Sequence, residues 1–198
     1  MQLSIERGKI VIAAIYGSPR KNGNTDILMD KFIQPLQEAG EDVVKFKLRD
    51  KTLKPCIACG GCNETGQCVF KDDIWDIYSE LNSAKAIVIS SPIYFATVCA
   101  QLKMFIDRGQ AFWANKYLLG NENFTNIKHG YFICAGAIDT NLYFENARLV
   151  IKTYLQTLDI DYGGDIFFSG VDEKGEILQK EGAVEEAVTE GEKVLDML

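Results

Sequence analysis

Histidine is almost missing from this sequence: 198 residues contain one, His129. No Ser/His/Asp set or paired-carboxylate motif is recognisable, and a lone histidine ahead of a strand is ordinarily structural, so His129 receives no catalytic role. No apolar run approaches the ~20 residues of a membrane span. The N-terminus lacks a basic stretch followed by an apolar core, so no secretory signal is expected. Repeats, low-complexity tracts and Pro/Gly/Ser-rich linkers are also absent, which leaves a single domain over residues 1–198, long enough for a real core. Positive charge is scarce: 21 Lys and Arg face 28 Asp and Glu, a formal net charge of −7. That argues against nucleic acid and membrane surfaces as partners and makes any phosphate site a local feature. Cysteine, in contrast, occurs six times. Without a secretory signal, reduced thiols or metal ligands in the cytoplasm are expected, not a disulfide framework.

What is present is organised around Lys9 to Thr25. An apolar, β-branched run ending at Tyr16 reads as a strand buried on both faces. A turn-rich loop, Gly17-Ser18-Pro19-Arg20-Lys21-Asn22-Gly23-Asn24-Thr25, follows, and then Asp26-Ile27-Leu28-Met29-Asp30-Lys31-Phe32-Ile33 with apolar residues at helical spacing. A helix N-terminus offers free N–H groups and the positive end of a dipole to an anion. Ser18, Asn22, Asn24 and Thr25 add donors, and Arg20 adds a fork-shaped cation suited to phosphate. Neither a dinucleotide fingerprint nor a Walker loop is present; the loop suits a terminal phosphate monoester, with an ordinary capped connection as the alternative. Gly-Ser-Pro-Arg followed by Gly-Asn-Thr, after an N-terminal strand, resembles the phosphate loop of flavodoxin-like NADPH-dependent FMN reductases and iron–sulfur flavoproteins.

Strand and helix patterns alternate from end to end. Helix one carries Leu28, Phe32, Leu36 and Ala39 on one face, with Pro35 predicting a kink or early end and Gly40 a stop. Val43 to Leu48 reads as strand two, Asp72 to Ser83 as helix two, and Ala86 to Ile89 as the heart of strand three. Helix three is predicted from Thr97 to Ala111. Gly120 to Lys128 reads as a surface excursion, Gly130 to Ala135 as strand four, Asn141 to Leu158 as helix four, Ile160 to Phe168 as containing strand five, and Glu181 to Leu198 as the last helix. Such alternation implies an α/β sandwich of three layers, a parallel sheet between helices. Five strands suit the flavodoxin-like order 2-1-3-4-5, with a ligand at the carboxyl ends near the switch between strands one and three.

Three loops should converge there. Besides the phosphate loop, Pro92-Ile93-Tyr94-Phe95 supplies backbone amides on a stiff turn beside two aromatics, and Ala135-Gly136-Ala137 allows close backbone approach to a planar ligand. For Tyr94 and Phe95 a plain hydrophobic wall is the alternative. Ser-Pro-Ile-Tyr followed by Leu102-Lys103-Met104-Phe105-Ile106-Asp107-Arg108 resembles the family's second flavin segment and the helix behind it; Lys103, Asp107 and Arg108 are expected to serve structure or subunit packing.

An irregular insertion at about 49–70 holds Cys56, Cys59, Cys62 and Cys68, a CxxCxxC run plus a fourth cysteine. Thiolates this close suit a soft metal centre, and Gly60, Gly61 and Gly66 allow the chain to curl. Zinc usually takes two separated pairs, so the alternatives are an iron–sulfur cluster, zinc, or metal-free thiols. Cys99 and Cys134 read as small buried apolar residues. The four-cysteine pattern resembles that of iron–sulfur flavoproteins, which bind a [4Fe–4S] cluster.

The resemblance implies an FMN-dependent oxidoreductase taking electrons from NAD(P)H or a ferredoxin-type donor and passing them through FMN and a cluster. Two rivals stand beside it: a cluster-free NAD(P)H:quinone or azo-type reductase, and a non-enzymatic flavodoxin-like electron carrier or redox sensor. A homodimer or homotetramer is expected, because a flavin held at loop tips is half exposed in one domain; Phe112 to Tyr117 is the candidate contact.

Overall fold

The computed structural model describes residues 11–124, 126–127 and 129–198. The lead-in Met1 to Gly8 and the first two residues of the predicted first strand, Lys9 and Ile10, lie outside them. The elements run β1 (Val11–Tyr16), α1 (Asn24–Glu38), β2 (Asp42–Lys47), α2 (Ile74–Leu81), β3 (Ala86–Tyr94), β4 (Thr97–Val98), α3 (Ala100–Arg108), α4 (Gln110–Tyr117), β5 (His129–Gly136), α5 (Asn141–Thr157), β6 (Asp161–Ser169) and α6 (Ala183–Met197).

The sheet has the order β2-β1-β3-β5-β6, every pair in that path parallel. Alternation along each strand divides the core in two. Ala13 and Ile15 of β1, Ile87 and Ile89 of β3, and Phe132 and Cys134 of β5 face the layer containing α2, α3 and α5. Ile12, Ala14 and Tyr16, Ala86 and Val88, and Tyr131 and Ile133 face α1 and α6. Burial on both faces explains why these strands read as continuous apolar runs. The three-layer sandwich is therefore as expected.

The strand count is corrected. The sheet is six-stranded, not five-stranded, because β3 runs on through Pro92 to Tyr94 and turns back. Phe95 and Ala96 both take left-handed backbone (φ 48° and 63°), and Ile93 then pairs with Val98 and Tyr94 with Thr97 in an antiparallel ribbon. Two left-handed residues make a tight hairpin, usually signalled by Asn or Gly. Here Phe-Ala occupies the turn, so the sequence carries no sign of the hairpin. The predicted helix Thr97–Ala111 consequently starts at Ala100 and breaks at Gly109 into α3 and α4.

Smaller differences have similar causes. Pro35 lies inside α1 without ending it early, Ala39 is exposed rather than on the buried face, and Gly40 follows at φ 88°. The Asn-rich stretch after α4 runs at the surface as read, with Gly120, Asn121, Glu122 and Asn126 exposed, and Phe124 and Ile127 anchor it to the core. Among the described residues, no helix is long and apolar enough to cross a membrane.

Candidate functional site: a polar-to-apolar crevice and a cysteine-lined pocket

The loop after β1 is built from its backbone outward. Gly17 donates its N–H to Ser90 O at 2.8 Å. A Cβ at Gly17 would lie 2.6 Å from that oxygen and 2.9 Å from the Leu102 Cβ, so only glycine fits between β3 and α3. Ser18 is buried, and its hydroxyl accepts the Arg20 N–H at 3.1 Å. Gly23 N–H closes the turn on Arg20 O at 3.2 Å and becomes the N-cap of α1, with no side-chain cap. The first-turn amides of α1 are thus left without intrahelical partners. Beside them the Thr25 hydroxyl is buried with no hydrogen-bond partner.

Under this loop sits a buried ion pair. Asp26 meets Arg49 at 2.9 Å and accepts the N–H of Asn22, itself left-handed at φ 55°, at 3.0 Å. Arg49 also donates to Ser18 O at 3.2 Å. Burial raises the Asp26 pKa above the usual carboxylate value, with Arg49 and the Asn22 N–H pulling the other way.

Nine of the eleven residues picked from the sequence line one crevice of about 110 Å³: Ser18, Arg20, Asn24, Thr25, Pro92, Ile93, Tyr94, Ala135 and Gly136. Asn22 and Phe95 do not. Asn22 points its role inward through its N–H on Asp26, and Phe95 is fully exposed at the hairpin tip. Phe95 instead borders a second, apolar hollow of about 330 Å³, lined also by Ala96, Ile138 and Tyr143. The two hollows share Ile93, Tyr94 and Ala137, so they form one crevice with a polar and an apolar end. A larger hollow of about 450 Å³ around Lys116 and Asp161 has no such convergence of loops.

Two of the candidate donors are already engaged. The Asn24 amide donates to Glu173 O at 3.0 Å and accepts from Gly175 N at 3.0 Å and Ile177 N at 3.3 Å. It straps the loop after β6 to α1. Arg20 donates to Asp172 O at 2.6 Å and lies 3.7 Å from its carboxylate, both side chains well exposed. Val171, Asp172 and Arg49 were missed by sequence reasoning. The carboxyl-end rule applied to β6 and β2 would have found them.

Cys99 is more than a small apolar filler. Its buried thiol donates to Gly17 O at 3.0 Å and its N–H to Ser91 Oγ at 3.0 Å, latching β1, β3 and α3 together. Cys134 is buried as expected.

The insertion forms a separate pocket. Cys56, Cys59, Cys62 and Cys68 are free thiols lining one hollow of about 330 Å³, with Phe70, Arg108 and Trp113 also in its wall. Burial pushes the Cys62 thiol pKa up, and the charges of Cys68, Cys56 and Cys59 push it further, as expected for four neighbouring sulfurs. Among the described residues, no three His, Cys, Asp or Glu side chains gather as ligands of a single metal ion. The chain curls through left-handed Ala58, Gly60 and Gly66; a Cβ at Gly66 would be 2.8 Å from Asn115 Oδ1. Its ends are tied down: Thr52 N–H to Asp73 at 2.8 Å, Lys54 N–H to Asp72 at 2.9 Å, and the Trp75 indole to Phe70 O at 2.8 Å. Lys103 and Asp107 form an exposed pair on α3 at 2.6 Å, while Arg108 turns inward to the cysteine loop. Of the segment Phe112 to Tyr117, Phe112 packs into the core and Trp113 and Tyr117 stay exposed.

Residues 10–139 match the family model of NADPH-dependent FMN reductases. Among curated proteins, an iron-sulfur flavoprotein of Methanocaldococcus jannaschii is 40% identical over 99 residues, 50% of this chain and 51% of that protein. Another, from Archaeoglobus fulgidus, is 37% identical over 94 residues, 48% of this chain and 43% of that protein. The chain spans about half the length of these curated relatives. An NAD(P)H:quinone oxidoreductase from Methanothermobacter marburgensis matches in structure with a TM-score of 0.73 over 94% of this chain and 96% of that one, at 14% identity, a likeness of fold alone.

Proposed function

Because the chain belongs to the NADPH-dependent FMN reductase family, we propose that it is a flavin-dependent oxidoreductase that holds FMN in the crevice and takes electrons from NAD(P)H or a ferredoxin-type donor. The observation carrying this reading is the crevice's polarity gradient. Its polar end has a helix N-terminus and a buried, unpartnered Thr25 hydroxyl. Its apolar end is walled by Ile93, Tyr94, Phe95, Ile138 and Tyr143. A phosphate monoester at one end and a flat ring system at the other match this shape, so the residues fit the cofactor. When bound, FMN supplies hydride acceptance from a nicotinamide and onward electron transfer.

The chain's own residues divide the binding work. Ser18, Thr25 and the first-turn amides of α1 receive phosphate, and Arg20 exchanges part of its contact with Asp172 for it. Asn24 keeps the loop after β6 closed over this end. Pro92 and Ile93 present backbone along the crevice, while Ala135 and Gly136 keep the opposite side free of bulk. Mass spectrometry of the released flavin tests this: FMN is expected, and FAD would overturn the phosphate-end assignment.

The four cysteines lining one pocket fit a [4Fe–4S] cluster, whose corners are each held by one thiolate. When bound, such a cluster supplies one-electron transfer. A reducing, cytoplasmic setting is part of this reading. Iron and sulfide analysis with low-temperature EPR, on protein kept from oxygen, should find about four irons per chain. Iron-free protein with full NAD(P)H turnover would instead support the cluster-free quinone or azo-type reductase. Negligible turnover with every acceptor would support the electron carrier or redox sensor. A homodimer or homotetramer completes the proposal, since the apolar end and Phe95 are open to solvent in one chain. Light scattering that finds a fully active monomer would remove it.

A further inference from the structure

Arg108 closes α3 with a side chain wholly out of solvent, although a buried cation is costly unless paired. Asp72 supplies a two-pronged partner at 2.7 and 3.2 Å, and Lys54 O accepts a further bond at 2.9 Å. Both acceptors belong to the two ends of the cysteine insertion, so the residue pins that loop shut. Three observations go beyond pinning. Arg108 lines the cysteine pocket itself. Its guanidinium stacks 5.3 Å from the ring of Phe70, two residues past Cys68. Its Nε is buried with no hydrogen-bond partner, and Cys68 stands in the wall of the same pocket.

We infer that Arg108 is a positioning residue for the cysteine site, a fixed cation beside Cys68 that raises the reduction potential of a cluster held by Cys56, Cys59, Cys62 and Cys68. This rests on the [4Fe–4S] reading above. The physical reason is charge. Four thiolates make the site anionic, and each electron added makes it more so. A cation held in a low-dielectric wall favours the reduced form, and its loss disfavours it. Asp72 acts with the opposite sign, because it brings a negative charge to the same wall. Arginine suits this place because its planar fork can hold Asp72 with two donors and still present another edge to the pocket.

The test is an EPR-monitored redox titration of the full chain, prepared without oxygen, as wild type, Arg108→Gln, Arg108→Lys and Asp72→Asn. Arg108→Gln should disfavour reduction at least tenfold, a fall of about 59 mV for one electron. Arg108→Lys keeps the charge and should restore most of the potential. Asp72→Asn should shift it upward. A mere structural pin predicts that Gln and Lys variants lose iron alike, with any retained cluster at the wild-type potential. A cluster of unchanged potential in Arg108→Gln overturns the inference alone. If that variant assembles no cluster, Asp72→Asn decides: an upward shift supports the inference, and no shift or a downward one overturns it. Wild-type protein without iron and sulfide overturns the cluster reading and this inference with it.

Discussion

The loops that leave β1 and β2 are neighbours in the sheet and are held in opposite ways. The β1–α1 loop is fastened along its length. Gly17, Ser18, Arg20 and Gly23 bond within the loop or to β3, and the Asp26–Arg49 pair supports it from beneath. The cysteine loop is fastened at its rim. Asp72, Asp73, Trp75 and Arg108 tie down its ends, and between them the backbone bonds are short local turns such as Asn63 N–H to Gly60 O. The first region is preorganised and would lose little freedom on receiving the phosphate of the proposed function. The second is a pocket lined by four cysteines, whose geometry a cluster would complete on the proposed function. On the proposed function, the two regions should therefore fail independently.

The largest effect tests that independence. Cys59→Ser should abolish the iron content of anaerobically prepared protein and leave the FMN content at one per chain. Loss of FMN in the same variant would show that the regions are coupled. Next in size, Asp26→Asn strands Arg49, whose Nε and Nη2 are already buried without partners. Removing one member of a buried pair costs about 3–5 kcal/mol, and because burial raises the Asp26 pKa the loss should be largest at acid pH and shrink as Asp26 ionises. Urea unfolding of the flavin-free chain should show that loss, while the iron content stays at the wild-type level. A loss under about 1 kcal/mol would mean that the loop does not lean on this pair. Smaller again, Arg20→Ala should weaken FMN by about 1.5–3 kcal/mol and leave riboflavin binding unchanged, because the lost bond is to phosphate. Its ion pair with Asp172 is exposed, so stability should move by less than about 1 kcal/mol. Equal weakening of FMN and riboflavin would place Arg20 away from the phosphate.

The same contrast governs what was legible in the sequence. Doubly buried strands announce themselves as apolar runs, so β1, β3 and β5 and their parallel order could be read directly. The crevice end formed by the β1–α1 loop was legible because its residues are local: Ser18, Arg20 and Thr25 follow the strand at once and line one hollow. What could not be read depends on distant residues. Asn24 lines the crevice as read, but its strap to residues 173–177 has no local signal. Arg49 and Asp26 are 23 positions apart, and nothing local predicts their pairing. Arg108 reads as an ordinary helix-end cation, and only the return of Asp72 and Lys54 turns it inward. The β3–β4 hairpin was hidden for a different reason. Its turn uses Phe95 and Ala96 where Gly or Asn is the usual signal.

The smallest effect is the sharpest form of the comparison, because the two regions carry carboxylates whose proton affinities move in opposite directions. Burial raises Asp26 above its ordinary value of 3.8 more than Arg49 and Asn22 lower it. Burial also pushes Asp72 upward, but the bonds from Arg108 and the Lys54 N–H and the Arg108 charge outweigh it, and Asp72 ends below 3.8. For Asp26 the folded chain binds the proton more tightly than the unfolded chain. Its contribution to stability is present below the unfolded value and is lost as pH rises through the folded value. For Asp72 the unfolded chain binds the proton more tightly. Its contribution is present above the unfolded value and is lost as pH falls through the folded value. A tenfold difference in proton affinity between folded and unfolded chain is worth about 1.4 kcal/mol. Unfolding of the flavin-free wild type, Asp26→Asn and Asp72→Asn across the acid range separates the two. The wild type minus Asp26→Asn curve should fall with rising pH above the ordinary carboxylate value. The wild type minus Asp72→Asn curve should fall with decreasing pH below it. Difference curves of the same sign would mean that the two loops rest on similar electrostatics, and the contrast between them would be lost.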